Sequence, residues 1–230
     1  MKTTALLLIA LSLVCWTASA DLIITEVMSN SGNPGGRANG DWFELYNSGG
    51  SAVDITFYSW DDAGGVAPGG GCFTNPTFLT YSLAAFDTVI ICEESQANVD
   101  DSTNGFKVSW GLGAEVDVIG LGGTVFQNFS SAGDSITVWD ASSVQVAQLV
   151  FGASTASNSM AWDAAGGYLG QSQVGLYGAY LASGDGGAGP GRDVASPGYV
   201  AIPEPSTIIL TSLSLALLGF CQWRRRLHGS

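Results

Sequence analysis

The amino-acid sequence predicts an all-β domain of the sandwich type. Short runs of β-branched and aromatic residues alternate with clusters of Gly, Ser, Asn and Asp. Glycine supplies 32 of 230 residues, whereas charged residues make up only 12%. No segment of helical period and useful length occurs outside the two apolar ends. Between those ends lie about 180 residues, enough for one domain with its own core.

In chain order, residues 1–20 read as a secretory signal peptide. Lys2 precedes an apolar run over 5–15, and Ala18-Ser19-Ala20 is a small-x-small cleavage site before Asp21. Ser12-Leu13-Val14 fits a lipobox poorly, so Cys15 is not read as a lipid anchor. The domain is placed at 21–199. Strands are expected at 22–28 (LIITEVM), 41–47 (DWFELYN), 52–60 (AVDITFYSW) and within 83–93, centred on 89–92. The loop 30–40 and the turns 48–50 and 61–71 separate them. Further strands are expected at 106–110, 115–120, 134–140 and 144–151, the last two as a hairpin across 141–143, and a short one at 159–162. Gly and Ser dominate from 164 onward, with 184–191 read as a flexible stretch.

Residues 200–230 form a separate module. Pro203-Glu204-Pro205 is followed by 207–223, which carries no formal charge, and by Arg224-Arg225-Arg226 within the basic tail 224–230. About seventeen to twenty apolar residues as a helix span a hydrocarbon core of roughly 30 Å, so 207–223 is read as a single membrane span. The arginines act as a cytoplasmic stop by the positive-inside rule, and Trp223 suits the interfacial aromatic belt. Together these parts resemble the PEP-CTERM sorting signal of Gram-negative bacteria. The resemblance implies recognition by an exosortase in the inner membrane, cleavage near the motif, and export to the cell surface or extracellular matrix. Pro203, Glu204 and Pro205 are then a processing motif.

The domain also has a family-like pattern. Ile24-Thr25-Glu26-Val27, then Asp41-Trp42-Phe43-Glu44-Leu45-Tyr46-Asn47, then Val53-Asp54-Ile55 resemble the opening of a lamin-tail domain. Residues 132–140 (AGDSITVWD) and Ser196-Pro197-Gly198 resemble its later strand and its closing segment. The resemblance implies an immunoglobulin-like β-sandwich in which Glu26, Trp42, Glu44, Tyr46, Asn47 and Asp54 are structural motif residues. Two departures stand out: Thr56-Phe57-Tyr58-Ser59-Trp60 replaces the family's S-G-W, and 64–80, with Cys72, reads as an insertion.

Charge and residue type exclude whole classes of function. Within the domain Arg37, Lys107 and Arg192 stand against nineteen acidic residues, a net charge of −16. Phosphate backbones are bound by clustered Lys and Arg, so nucleic acid is not an expected partner. The single histidine, His228, lies in the tail, so the domain has no Ser-His-Asp triad and no His-ligated zinc. Cys72 and Cys92 form an even pair in an exported domain. A disulfide is expected, worth about 3 kcal/mol for a loop of this length, with a two-thiol metal site as its rival.

No catalytic or cofactor-binding residue is assigned. Glu26 and Glu44 are the one carboxylate pair that invites comparison with glycosidases. Alternation along 41–47 puts Trp42, Glu44 and Tyr46 on one face and Phe43 and Leu45 on the other. Anchoring a loop, through backbone N–H groups or Arg37, explains such a glutamate without catalysis. The segment 120–123 (GLGG) reads as a turn, since no βαβ unit follows. Asp61-Asp62, Asp100-Asp101 and the 185–193 stretch read as solvated turns, with calcium as the alternative ligand. Trp42, Tyr46, Tyr58, Trp60, Trp110, Trp139 and Trp162 read as core, with a sugar-stacking platform as the alternative.

The function expected is that of an exported, non-catalytic surface or matrix protein, structural or adhesive in exopolysaccharide or biofilm. Its expected partners are an exosortase, the inner membrane before processing, and exopolysaccharide or other surface proteins. A carbohydrate-binding module and a carboxylate-dependent hydrolase are the alternatives.

Overall fold

A computed structural model describes residues 22–32, 40–62, 71–72, 81–123, 125–183 and 192–202. The expected signal peptide, Arg37, the stretch 184–191 read as flexible, the Pro203-Glu204-Pro205 motif, the expected 207–223 span and the tail arginines lie outside the described residues. Among the described residues no helix is long and apolar enough to cross a membrane.

The chain forms β1 (Leu22–Met28), β2 (Trp42–Asn47), β3 (Val53–Asp54), β4 (Ser59–Asp61), β5 (Gly71–Cys72), β6 (Ser82–Leu83) and β7 (Thr88–Cys92). Two short helices, α1 (Gln96–Val99) and α2 (Phe106–Trp110), precede β8 (Asp117–Gly120), β9 (Gly133–Trp139) and β10 (Gln145–Gly152). Then come β11 (Met160–Trp162), β12 (Tyr168–Gln171), β13 (Tyr180–Leu181) and β14 (Val194–Ala195). A six-stranded sheet in the order β12-β11-β1-β2-β7-β8 packs on a four-stranded sheet, β10-β9-β4-β5. All pairings in the larger sheet are antiparallel except β7–β8, which is parallel and bridged by the two helices.

The core between the sheets contains Ile24, Val27, Phe43, Leu45, Val89 and Ile91 from the large sheet and Trp60, Ile136, Val138 and Phe151 from the small one. A second apolar cluster covers the opposite face of the large sheet. There Met28, Trp42, Ile90, Cys92 and Val118 meet Val99, Phe106 and Trp110 from the helices and Ala182 and Ala195 from the C-terminal segment. The large sheet is thus buried on both faces, and all six residues of β2 are buried.

The structure corrects three sequence expectations. Residues 106–110 form a helix, not a strand. Phe106, Val108 and Trp110 satisfy a period of two, but Phe106, Ser109 and Trp110 are the buried residues while Val108 is 42% exposed, which is a helical period. Gly111, left-handed at φ 63°, ends this helix. Residues 52–60 are not one strand either, because a turn with Phe57 at φ 64° separates β3 from β4, which belong to different sheets. The expected hairpin over 134–151 is present as β9 and β10. Asp140 Oδ1 accepts the Ser142 and Val144 N–H groups, each at 2.8 Å, and closes its turn.

The third correction concerns the disulfide. Cys92 is a free, buried thiol. Along β7, Val89 and Ile91 enter the core between the sheets, so Ile90 and Cys92 face the opposite way, into the second cluster. Cys72 lies on β5, in the other sheet. Burial pushes the Cys92 thiol far above its ordinary range. Reductant is therefore expected to leave the Tm of the folded protein unchanged, and Cys92 to react with thiol reagents only on unfolding. A drop in Tm with reductant would contradict this arrangement.

Candidate functional site

The family-like residues converge on the outer face of the large sheet. Strict alternation would send Glu26 into the apolar interior with Leu22 and Ile24. A β-bulge prevents this. The register steps from Ile24 opposite Leu45 to Glu26 opposite Glu44, and the next interior residue is Val27, three positions after Ile24. Thr25 and Glu26 therefore both project outward beside Glu44. The Thr25 hydroxyl donates to Glu44 Oε1 at 2.7 Å.

Glu26 and Glu44 are 1% and 0% exposed. Glu26 Oε1 accepts from the Ser159 hydroxyl at 2.5 Å, the Ser196 N–H at 2.9 Å and the Ser172 hydroxyl at 3.3 Å. Glu44 Oε2 accepts from the Gly198 N–H at 2.6 Å. The two glutamates thus hold the segment Ser196-Pro197-Gly198 against the sheet through its backbone. Glu26 Oε2 has no hydrogen-bond partner. Burial pushes Glu26 up to about 7. Burial and the neighbouring Glu26 carboxylate push Glu44 up to about 8. Two neighbouring, fully buried carboxyls cannot both ionise cheaply, so the pair retains a proton at neutral pH.

The remaining motif residues act locally. Asn47 Nδ2 donates to the carbonyls of Ser51, Leu83 and Ala84 at 2.8, 3.2 and 2.9 Å, and its Oδ1 accepts the Gly49 N–H at 3.0 Å. This one side chain ties the turn after β2 to the strand β6. Asn47→Ala is expected to cost about 2 kcal/mol in urea unfolding, since buried carbonyls lose their donor; an unchanged midpoint would refute this role. Asp54 Oδ1 accepts the Thr56 N–H at 2.9 Å, and the Thr56 side chain and backbone hold its carboxyl below the usual range. Trp42 packs edge-on against Phe106 and Trp110 at ring-centre distances of 6.2 and 6.1 Å. Tyr46 is buried at 4% exposure.

Several contributors escape the sequence reading. Asp193, in a stretch read as a solvated turn, is fully buried; it accepts from the Ser31 hydroxyl at 2.6 Å and the Gly32 N–H at 2.8 Å. Asp41 Oδ2 accepts the Phe129 N–H at 2.6 Å, and burial pushes it up to about 7. Ser159 and Ser172 carry no motif signal because their role depends on strands that meet Glu26 only in the folded protein. Asp101 Oδ1 accepts the Thr103 N–H at 2.8 Å, a turn closure. Among the described residues no three His, Cys, Asp or Glu side chains come together in a way that could hold a metal ion.

The geometry limits the chemistry. A glycosidase pair must flank a sugar, and this pair is sealed under the closing segment. Of the aromatics considered as a sugar platform, all five tryptophans and Tyr46 are buried and Tyr58 is half-buried. What the arrangement does is fasten the C-terminal end of the domain to its first two strands.

A family profile described as Lamin Tail Domain matches residues 17–200, and one described as PEP-CTERM protein-sorting motif matches residues 201–226. No curated protein matches the chain.

Proposed function

The chain belongs to the lamin tail domain family, and from that membership and its sorting motif we propose that it is a structural or adhesive component of the cell surface or exopolysaccharide matrix. The PEP-CTERM motif marks it as an exported substrate of an exosortase, held at a membrane in transit. The lamin tail domain is a non-catalytic fold. In this reading the membrane is the inner membrane of a Gram-negative envelope, and the processed domain joins exopolysaccharide or other surface proteins in a biofilm. One observation carries it: the motif glutamates and tryptophans are committed to holding the domain closed, and the sorting motif starts at residue 201, where the domain ends. Ala201 is itself tied down, by a bridge to Asp163 and by the Ala164 N–H, which donates to its carbonyl at 2.9 Å.

Mass spectrometry of the form recovered from the matrix tests this. The expected product lacks Arg224, Arg225 and Arg226. A surface form that keeps these arginines, or a protein recovered only from the inner membrane, would sink the proposal. If the purified domain hydrolysed a glycan, and Glu44→Gln abolished that activity, the hydrolase alternative would replace it.

A further inference from the structure

The chain leaves the domain on a face lined with exposed apolar side chains. Phe86, Val200 and Ile202 border one shallow depression of about 270 Å³, with Asp87 as the one ionisable side chain beside them other than buried Tyr46. Phe86 and Ile202 are 65% and 66% exposed. Next to Val200, Tyr199 lies so close over Gly178 that no Cβ would fit there. Gly178 belongs to a turn that also exposes Val174, Leu176 and Tyr177. Two exposed apolar groups thus flank the end of the domain, Phe86 with Ile202 and Tyr199 with the Tyr177 turn, and the segment Tyr199–Ile202 joins them into one strip.

Two of these residues are held in an unfavourable backbone conformation. Phe86 has φ 61° and Tyr177 φ 48°, a left-handed region that costs a bulky residue about 1–2 kcal/mol and that Gly or Asn would occupy cheaply. Both side chains are more than half exposed. Exposed Phe57, in the turn between β3 and β4, shares this conformation.

We infer that this strip is a membrane-contact surface, which rests on the lipid leaflet that the chain enters after Ile202. The inference depends on the membrane-held state described above, with 207–223 as the span. Five peptide steps from Ile202 to Thr207 extend at most about 18 Å. The domain side gives no slack, since Gly198 is fixed to Glu44 and Ala201 to Asp163 and Ala164. The polar layer of each leaflet occupies roughly 5–8 Å of that reach. The face around Ile202 therefore lies within about 13 Å of the headgroup layer, where aromatic side chains are favoured. A second copy of the chain is the competing occupant, and the labels below distinguish it from lipid. Contact of this kind holds Pro203-Glu204-Pro205 at the membrane surface, within reach of an enzyme embedded there.

The test uses the chain from Asp21 through its uncleaved tail, carrying Cys72→Ser and Cys221→Ser, in vesicles of phosphatidylethanolamine and phosphatidylglycerol. Nitroxide labels are attached at Phe86→Cys, Tyr177→Cys or Ile202→Cys. Leu213→Cys reports on the span, and Val144→Cys on an exposed apolar site outside the strip. Labels at 86, 177 and 202 are expected to collide several-fold more with oxygen than with an aqueous nickel chelate, and the label at 144 to show the reverse. If the strip labels match 144 while 213 is in lipid, the strip inference fails and the membrane-held reading stands. If 213 is aqueous, both fail. Dipolar broadening relieved by unlabelled chain would assign the strip to a contact between copies and overturn the inference.

Discussion

The domain is expected to resist urea better at pH 5 than at pH 8. In the unfolded chain a glutamate releases its proton near 4.5, whereas burial raises Glu26 to about 7 and Glu44 to about 8. Between these values the folded state binds more protons than the unfolded state, so stability falls as pH rises. The contribution is fully present below about 4.5 and is lost by about 8. One glutamate raised this far accounts for about 3 kcal/mol at 1.36 kcal/mol per pH unit, and the coupled pair is worth less than twice that. Asp41 and Asp193, also raised by burial, act in the same direction. Exposed Asp54, held low, acts in the opposite one. Urea midpoints at the two pH values provide the check. Glu44→Gln keeps the shape, removes one of the facing carboxyls, and is expected to shrink the pH difference by about half. A midpoint that rises with pH would show that the pair is ionised and paid for elsewhere.

Trp42→Ala is expected to cost about 4 kcal/mol, the loss typical of truncating a fully buried tryptophan. Trp42 is 0% exposed and fills the space between β2 and the two short helices, against Phe106 and Trp110. The variant opens a cavity in the second cluster while leaving the core between the sheets intact. Loss of near-ultraviolet tryptophan signal and a lower urea midpoint are the expected readings. A carbohydrate-binding role for Trp42 predicts the contrary result, an almost unchanged midpoint with reduced glycan affinity.

The two variants probe one sheet face that the sequence shows only in part. Alternation along 41–47 correctly separates Phe43 and Leu45 from Trp42, Glu44 and Tyr46. It does not show that the second face is covered, because the covering residues lie in α1, α2 and the Gly- and Ser-rich C-terminal segment. Phe106–Trp110 shows the ambiguity most clearly: five residues fit both a strand and a helical turn, and only the groove beside Trp42 selects the helix. The bulge at Thr25–Glu26 is equally hidden, since a one-residue register step leaves no mark on local composition.

By itself the sequence determined the all-β class, most of the large-sheet strands, the β9–β10 hairpin, the acidic and histidine-free character of the domain, and the sorting motif. Each of these is written in local pattern: period, turn residues, charge and spacing. Only the tertiary structure decided that Cys92 is a free thiol, that Glu26 shares a buried site with Glu44, and that Asp193 is interior. Those outcomes depend on which face of a sheet a residue occupies and what distant segment covers it. Ser196 and Gly198 reach Glu26 and Glu44 across more than 150 residues of chain. Such contacts form because burying apolar surface on both faces of one sheet brings the ends of the domain together, a demand of the whole chain that no short window of sequence contains.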